Sequence, residues 1–302
     1  PPPPPSPPPP PLAPCIGQGV GFNFAGTEIL YSNLGGQGPL APTGASAGVQ
    51  GVRYVNIGTM YSPSGAAFNI DLLLTNRSRY TPHDASLNRL NGYFAQVNVR
   101  CNTFVQLRVT TVLSCSSGQS CKLCDELSSA SLIAGCYAAG CSCFGTTVSS
   151  ESACSGSSKE AHRASYSCAI MNQNIVLPGG AMVAMTVYDF DTGPSGGYAE
   201  SLTVPNYAYV KTPLRPASAA TISSSVIVNG STSTFTGTAT GDSSDNPTSP
   251  TSLTDSQASK GVQFFFRASQ GYVDATFAVS STLSNCTGRN LLFAGDSALC
   301  AP

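Results

Sequence analysis

Short apolar runs with a period of two recur along most of this 302-residue sequence and are separated by glycine and proline. Successive side chains of a strand point to opposite faces, so such alternation is typical of strands with one buried face. About a dozen such runs favour an all-β chain folded as a jelly-roll-like β-sandwich. The runs that we predict to lie in strands are 20–22, 29–31, 68–74, 97–99, 105–109, 181–190, 202–210, 226–228, 232–238, 262–266, 272–279 and 291–293.

The chain begins with a proline-rich tract in which ten of the first eleven residues are proline. Proline fixes φ and has no amide hydrogen, so residues 1–14 are predicted to form a polyproline II rod. At about 3.1 Å per residue, eleven residues reach roughly 34 Å. Two interpretations are open: a stiff spacer packed on its own domain, or an assembly element that docks on a neighbouring subunit or carries a glycan sheath.

This tract, interrupted once by Ser6, resembles the hydroxyproline-rich glycoproteins of green-algal and plant cell walls and flagellar surfaces. In that class many prolines are hydroxylated and carry O-linked sugars, and the resemblance implies the same modifications here. It covers under a twentieth of the chain, and a large globular region follows the tract. The prolines for which it implies hydroxylation, O-glycans or a role in assembly are Pro2, Pro3, Pro4, Pro5, Pro7, Pro8, Pro9, Pro10 and Pro11.

The sequence is unusually poor in charge, since Asp, Glu, Lys and Arg make up 10% of it and the net charge is −1. A typical soluble intracellular chain has about 25% charged residues. Without a basic run, neither nucleic acid nor an anionic membrane is expected as a partner. No apolar window is long enough for a membrane span. The start at the proline tract, without a signal peptide, is expected of a processed protein or of a piece of a longer one.

Twelve cysteines predict up to six disulfides formed in an oxidising compartment. We expect Cys286 and Cys300 to pair locally and to fasten a C-terminal hairpin. The cysteines are Cys15, Cys101, Cys115, Cys121, Cys124, Cys136, Cys141, Cys143, Cys154, Cys168, Cys286 and Cys300.

Zinc is the alternative to disulfides within this cysteine set. Zinc clusters occur mostly in reducing compartments, and both histidines, His83 and His162, lie outside the cluster, so disulfides are favoured. The cysteines with the spacing of zinc ligands are Cys121, Cys124, Cys136, Cys141, Cys143 and Cys154.

Three sequons predict N-glycosylation at Asn76, Asn229 and Asn285. Sequons, an even number of cysteines and the proline tract together indicate an extracellular protein, secreted to the cell surface, the wall or the flagellar surface. Asn76 opens a segment, 75–92, that is predicted to be an exposed loop.

The cysteine distribution also suggests a division of the chain. Residues 1–14 form the rod, and residues 15–215 form a β-sandwich domain with a disulfide-rich insertion at 114–169. Short helical turns are expected at 125–134 and 159–171. Residues 216–302 either complete the sandwich or form a second small sandwich.

Signals of catalysis are weak, and we expect a protein that is not an enzyme. His83 and His162 are interpreted as exposed loop residues, since no nucleophile-elbow pattern accompanies them. A secreted hydrolase remains a minor alternative, with paired carboxylates drawn from Asp71, Asp189, Asp191 and Glu200.

One acidic motif, YDFDTG at 188–193, follows a predicted strand. Carboxylates two residues apart on a strand face the same side, so Asp189 and Asp191 are candidate calcium ligands. The competing interpretation is that both aspartates accept hydrogen bonds from the backbone of a turn.

That motif, with SNLGG (32–36) and GRNLLFAG (288–295), resembles a group of extracellular β-domains in microalgal proteins. Some of these proteins are associated with flagellar hairs and surface filaments, which implies a role in structure and assembly. The expected function is therefore a structural subunit of an extracellular glycoprotein filament, in contact with copies of itself and with other wall or flagellar glycoproteins. The main alternative is a calcium-assisted carbohydrate-binding module.

A polyproline rod is usually received by an aromatic groove. If the rod of one copy docks on the next copy, the contact is heterologous and extends into a filament. The tyrosines considered for this groove are Tyr54, Tyr61, Tyr80, Tyr207 and Tyr209.

Overall fold

The structure is a computed structural model that describes residues 23–41, 50–61, 67–114, 141–143, 146–147, 166–168, 182–214, 221–242, 244–267 and 272–295. The predicted rod at 1–14, most of the cysteine-rich insertion, His162 and Cys300 lie outside these ranges. No helix in the described ranges has the length and apolar character needed to cross a membrane.

Seventeen strands and one short α-helix, α1 (Asp255–Ser259), account for the regular structure of the described residues, apart from 3-10 turns. The strands are β1 (Glu28–Ser32), β2 (Val52–Tyr61), β3 (Ala67–Asn76), β4 (Arg89–Asn91), β5 (Phe94–Val99), β6 (Thr103–Ser114), β7 (Cys141–Cys143), β8 (Thr146–Thr147), β9 (Tyr166–Cys168), β10 (Met182–Tyr188), β11 (Tyr198–Thr203), β12 (Tyr209–Lys211), β13 (Val226–Asn229), β14 (Thr234–Gly237), β15 (Val262–Arg267), β16 (Tyr272–Ser281) and β17 (Arg289–Gly295).

Two antiparallel sheets form a sandwich, and this confirms the predicted all-β fold. The larger sheet has the strand order β1-β2-β3-β6-β16-β11-β14-β13, with β9 and its partners β7 and β8 attached to β6. The smaller sheet has the order β12-β15-β10-β17-β5-β4. Four strands of each sheet, β5-β17-β10-β15 and β6-β16-β11-β14, have the strand order of a jelly roll built from two Greek keys.

The period of two in the sequence explains how the two sheets meet. In β16, Val273, Ala275, Phe277 and Val279 are buried, whereas the residues between them lie on the outer face and are half-buried. Aromatic rings from both sheets interlock in the core: Phe293 of β17 packs edge-on against Tyr54 of β2 at 6.4 Å between centroids. Such alternation is what one buried face produces.

One segment predicted as a single strand, residues 202–210, forms two. Strand β11 ends at Thr203 and β12 begins at Tyr209 in the other sheet. Pro205 lies between them and has no amide hydrogen for a ladder, so the chain crosses from one sheet to the other there.

The predicted exposed loop at 75–92 is wrong in part, because one part of this segment packs against β5 and another part adds an edge strand to the smaller sheet. The segment contains strand β4, and Tyr80 and Asn88 are buried. The Asn98 side chain of β5 accepts hydrogen bonds from the backbone amides of His83 and Asp84, both at 2.9 Å. Strand β5 is therefore buried on both faces.

The C-terminal strands belong to the same two sheets as the earlier ones, since β14 pairs with β11 and β17 pairs with β5. A disulfide joins Cys101 to Cys286, so the predicted pairing of Cys286 with Cys300 is wrong. The reason is the register of β5 and β17, in which Val99 lies opposite Arg289. Cys101 lies just after β5 and Cys286 just before β17, which places them side by side.

The insertion differs from expectation where it is described. Residues 166–168 form strand β9 rather than part of a helical turn, and β9 pairs with the end of β6. Cys141 of β7 lies opposite Cys168 of β9 in the register. The predicted helical turn at 125–134 lies outside the described residues.

The Cys101–Cys286 disulfide closes a long loop, with a sequence separation of 185. We expect the double variant Cys101→Ser with Cys286→Ser to lose about 2–4 kcal/mol of unfolding free energy, because the unfolded chain regains the entropy of that loop. Urea denaturation followed by circular dichroism measures the loss, and a reductant should not destabilise the variant through this bond. An unchanged denaturation midpoint would contradict the expectation.

Candidate acidic site

The YDFDTG motif lies where strand β10 ends. The strand stops at Tyr188, and Asp189 has φ of 65°, in the left-handed region. The prediction that the two aspartates share a strand face is therefore wrong, because both follow the strand. The turn nevertheless brings Asp189 and Asp191 together with Asp245, and one carboxylate oxygen of each lies within 4.8 Å of the others.

A buried lysine ammonium lies in this cluster. Lys260 directly follows α1, and its side chain is only 2% exposed. Its Nζ donates to Asp191 Oδ1 at 2.7 Å, to the Thr240 carbonyl at 3.1 Å and to Asp245 Oδ2. An ammonium group has three N–H donors, and here each has an acceptor.

Two connections of the sandwich meet at this lysine. One joins β10 to β11 and carries the two motif aspartates, and the other joins β14 to β15 and carries Asp245, α1 and Lys260 itself. Backbone hydrogen bonds hold them: the Phe190 amide donates to the Lys260 carbonyl at 3.0 Å, and the Gly241 amide donates to the Thr192 carbonyl at 3.2 Å. The side chain of any other residue at Gly241 would collide with the Asp191 carboxylate, since a Cβ there would lie 1.7 Å from Oδ2.

A second layer of charge lies beside Asp191. Glu200 of β11 is buried, and its Oε2 accepts a hydrogen bond of 3.3 Å from the Asp191 amide. The Arg289 Nε of β17 lies 3.9 Å from Glu200 Oε1. The Arg289 guanidinium also stacks over the Tyr198 ring, 3.5 Å from its centroid, in a cation–π contact. Four carboxyl groups therefore face two cations.

The excess of carboxyl groups over cations is reflected in the pKa values of the site. Burial, with repulsion from Asp191 and Asp245, raises the pKa of Asp189 to about 7. Burial also raises the pKa of Glu200 well above its ordinary value. Desolvation lowers the pKa of Lys260, but hydrogen bonds to Asp191 and Asp245 outweigh it and raise that pKa above its ordinary value. The lysine therefore stays charged, while Asp189 is about half protonated near neutral pH.

The cluster fits calcium poorly. Calcium takes six to eight oxygen ligands, and it would compete with the Lys260 ammonium for two of the three carboxylates. Asp189 remains, with its Oδ1 buried and without a hydrogen-bond partner among the described residues. Its Oδ2 accepts from the Asn246 side-chain nitrogen at 3.1 Å when the amide is oriented by its hydrogen bonds.

Asp71, the other carboxylate considered for catalysis, lies elsewhere. It is on β3 of the larger sheet, where its Oδ2 accepts from Arg53 Nε at 2.9 Å and its Oδ1 accepts from the Asn56 amide at 3.0 Å. This buried pair fastens β2 to β3 across a register shift. It is separate from the acidic site.

The three sequon asparagines have different surroundings. Asn76 ends β3 and is half-buried; its Nδ2 donates to the Ser78 carbonyl at 2.8 Å and its Oδ1 accepts from the Gly35 amide at 3.0 Å. Asn229 ends β13 and is exposed. Asn285 is exposed beside the Cys101–Cys286 disulfide. Glycosylation at each remains a prediction.

The tyrosines considered for a proline groove are dispersed. Tyr54 and Tyr80 are 0% and 3% exposed and belong to the core, so their assignment to a groove is wrong. Tyr207 packs edge-on against Phe235, and Tyr209 stacks on Phe265 at 4.0 Å. The side chain of Tyr61 lies outside the described residues.

Sequence reasoning found the motif aspartates but missed Asp245 and Lys260. Two signals were available. Lys260 is the only basic residue between Arg215 and Arg267 and directly precedes an apolar run. Thr254 and Gln257 have the spacing of a capping box, which the structure contains at the start of α1 and which indicates a helix just before the lysine.

Comparisons with known proteins add little. No protein-family model matches this chain, and no curated protein matches it. Among solved structures, the chain is similar to the N-terminal domain of the Streptococcus gordonii adhesin Sgo0707, with a TM-score of 0.36 and 7% identity. The match covers 93% of this chain and 56% of that one, so the chain spans little more than half of the adhesin domain. A likeness at this level carries no argument about function.

Lys260 generates a prediction about stability. Lys260→Met should lower the unfolding free energy at pH 7 by about 3–5 kcal/mol, because it leaves two carboxylates unpaired. Burial already raises the pKa of Asp191, and loss of the ammonium raises it further above that of the unfolded chain, so stability is lost as pH rises through that interval and the deficit shrinks below about pH 4. Denaturant titrations at pH 3.5 and pH 7 measure this.

The matched control is Lys211→Met, which removes an exposed lysine at the end of edge strand β12. It should change the unfolding free energy by less than about 0.5 kcal/mol. A deficit for Lys260→Met that is equally large at both pH values would mean that lost packing, and not unpaired charge, causes it.

Proposed function

We propose that this chain is a structural subunit of an extracellular filament, such as a flagellar hair, a surface fibril or a wall layer. In this proposal the proline-rich tract joins one copy to the next, and the sandwich is the rigid body of the subunit. Its partners are copies of itself and other wall or flagellar glycoproteins. Its covalent glycans lie on the sequons and on the tract.

The observation that carries the proposal is that most carboxylates of the acidic site are bonded to groups of the same molecule. Lys260 pairs with Asp191 and Asp245, and the Asp191 backbone amide donates to Glu200, so these contacts engage three of the four carboxyl groups from within the molecule. Groups engaged in this way hold loops together and are not free for a substrate. This supports a structural role over catalysis.

Two further observations support an extracellular setting. The Cys101–Cys286 disulfide links distant parts of the chain, and structural disulfides persist mainly in oxidising compartments. The low charge, the sequons and the proline tract are properties of the same kind of protein. The receptor for the rod on the next copy is a surface other than Tyr54 and Tyr80, since both are buried.

The proline tract provides the test. A variant that lacks residues 1–11 should fold and remain monomeric, because the sandwich keeps both sheets, but it should form no filaments. A second variant, in which Gly and Ser replace the eleven residues, keeps the length and removes the stiffness of polyproline II, and it should also fail. Electron microscopy of the secreted material and size-exclusion chromatography give the readout. Normal filaments from both variants would refute the proposal.

A calcium-assisted carbohydrate-binding module is the second candidate, and the grouping of Asp189, Asp191 and Asp245 is the observation that favours it. Because the Lys260 ammonium pairs with two of these carboxylates, we expect a calcium chelator to leave the melting temperature unchanged. Binding on a glycan array should likewise not depend on calcium.

The contrary result would favour the binding module. It consists of a chelator-induced fall in melting temperature that is absent in Asp189→Asn, together with sugar binding that the chelator abolishes. Asp189→Asn is the suitable variant, since Asp191 and Asp245 keep their pairs with Lys260. Differential scanning fluorimetry of both proteins, with and without chelator, decides between the two.

A further inference from the structure

Strand β13 forms one edge of the larger sheet, and its apolar side chains are exposed. Within the described residues it pairs with β14 alone. Ile227 is 61% exposed and Val228 is 44% exposed, although adjacent residues of a strand point to opposite faces. An apolar side chain is therefore exposed on each face of the strand.

Apart from its short length of four residues, this edge lacks the usual protection against association with other strands. Natural edge strands carry lysine, proline or a bulge, because their free amide and carbonyl groups otherwise accept a strand from another molecule. The register of β13 with β14 runs without a shift. Residues 221–241 contain no charged residue and no proline. In the part of the chain that the structure describes, the hairpin thus combines an apolar surface with a hydrogen-bonding edge that no other strand occupies.

The Asn229 sequon lies at the end of this strand. Asn229 and Ile227 are two residues apart, so their side chains leave the same face, about 7 Å from each other. Val226, on the other face, is buried, which places Ile227 and Asn229 on the outer face. A sugar attached to Asn229 emerges beside the exposed Ile227 side chain.

The turn after β13 presents the Asn229 amide for modification. Asn229 Oδ1 accepts hydrogen bonds from the Ser231 amide at 3.2 Å and from Ser231 Oγ at 2.7 Å. These bonds use the oxygen of the side chain, and the residue is exposed. By contrast, Nδ2 of the half-buried Asn76 donates a hydrogen bond within the fold.

We propose that Asn229 carries an N-linked glycan whose first sugars cover Ile227 and shield the β13 edge. In the transfer, Asn229 Nδ2 forms a bond to the anomeric carbon of N-acetylglucosamine and loses one proton, and the bond from that carbon to a lipid-linked diphosphate breaks. The apolar face of the sugar and its acetyl methyl group pack on Ile227. The bulk of the glycan keeps a foreign strand from the edge.

This inference rests on the extracellular setting of the proposed function, and its test is separate. The matched variants are Ser231→Ala, which destroys the sequon, and Ser231→Thr, which keeps it. Both leave Asn229 in place. The full-length proteins are secreted from a eukaryotic host, glycopeptide mass spectrometry reports the occupancy of Asn229, and light scattering follows association at equal concentration.

We expect Asn229 to be occupied in wild type and in Ser231→Thr and to be unmodified in Ser231→Ala. The unglycosylated protein should associate several-fold faster. Adding Ile227→Lys to Ser231→Ala should restore the slow rate, since a charge on the edge replaces the glycan. Equal melting temperatures for the two Ser231 variants separate edge association from misfolding; if they differ, the rescue by Ile227→Lys decides.

An unmodified Asn229 in the secreted wild type would overturn the inference. So would equal association rates for Ser231→Ala and Ser231→Thr, or a fast rate that Ile227→Lys does not correct. None of these results bears on the filament proposal, which is tested by removal of the proline tract. Loss of filaments on that removal, with an unmodified Asn229, would uphold the function and reject the glycan cover.

Discussion

The Lys260 ammonium joins two connections of the sandwich, the one from β10 to β11 and the one from β14 to β15. An isolated buried ammonium is unfavourable by several kcal/mol, and its attraction to carboxylates offsets this only when every donor is satisfied. Here the three donors meet Asp191, Asp245 and a backbone carbonyl. Other ways of packing these two connections would leave the charge unpaired, so the lysine specifies one arrangement of the loops more than it adds stability.

The surplus of negative charge around the lysine is relieved by protons. Four carboxyl groups and two cations cannot all be ionised in a buried site without strong repulsion. Asp189 and Glu200, whose pKa values are raised, are the groups that take up protons as the pH falls. For these two carboxyl groups the folded state binds protons more tightly than the unfolded state. The contribution of Asp189 to stability therefore declines as pH rises from about 4 to 7, and that of Glu200 declines as pH rises through its own raised pKa. Protons on these carboxyl groups, together with the two cations, thus offset the negative charge of the site without a metal ion.

The period of two in the sequence was enough to predict the sandwich and most of its strands, because burial of one sheet face acts on every second residue, but strands β2 and β4 were missed. It could not identify partners that strand order brings together. Lys260 and Asp191 are 69 residues apart, and Cys101 and Cys286 are 185 apart. The expected Cys286–Cys300 pair failed for this reason, since proximity in sequence says little once β17 lies beside β5. Tyr54 failed as a surface residue because a tyrosine on a strand can face either side.

A filament needs a contact that recurs in one direction only. Docking of a rod on the next subunit joins two different surfaces and can repeat without limit, whereas edge-to-edge pairing of two β13 strands is antiparallel and self-complementary and would close a pair. An apolar, uncharged edge would favour that closed pair and remove subunits from the growing polymer. In a filament of such subunits, a bulky group beside Ile227 therefore matters for the direction of assembly as well as for solubility. Assembly therefore depends on both the proline tract and the β13 edge. The rod contact, which propagates the filament, must be stronger than the edge contact, which closes a pair.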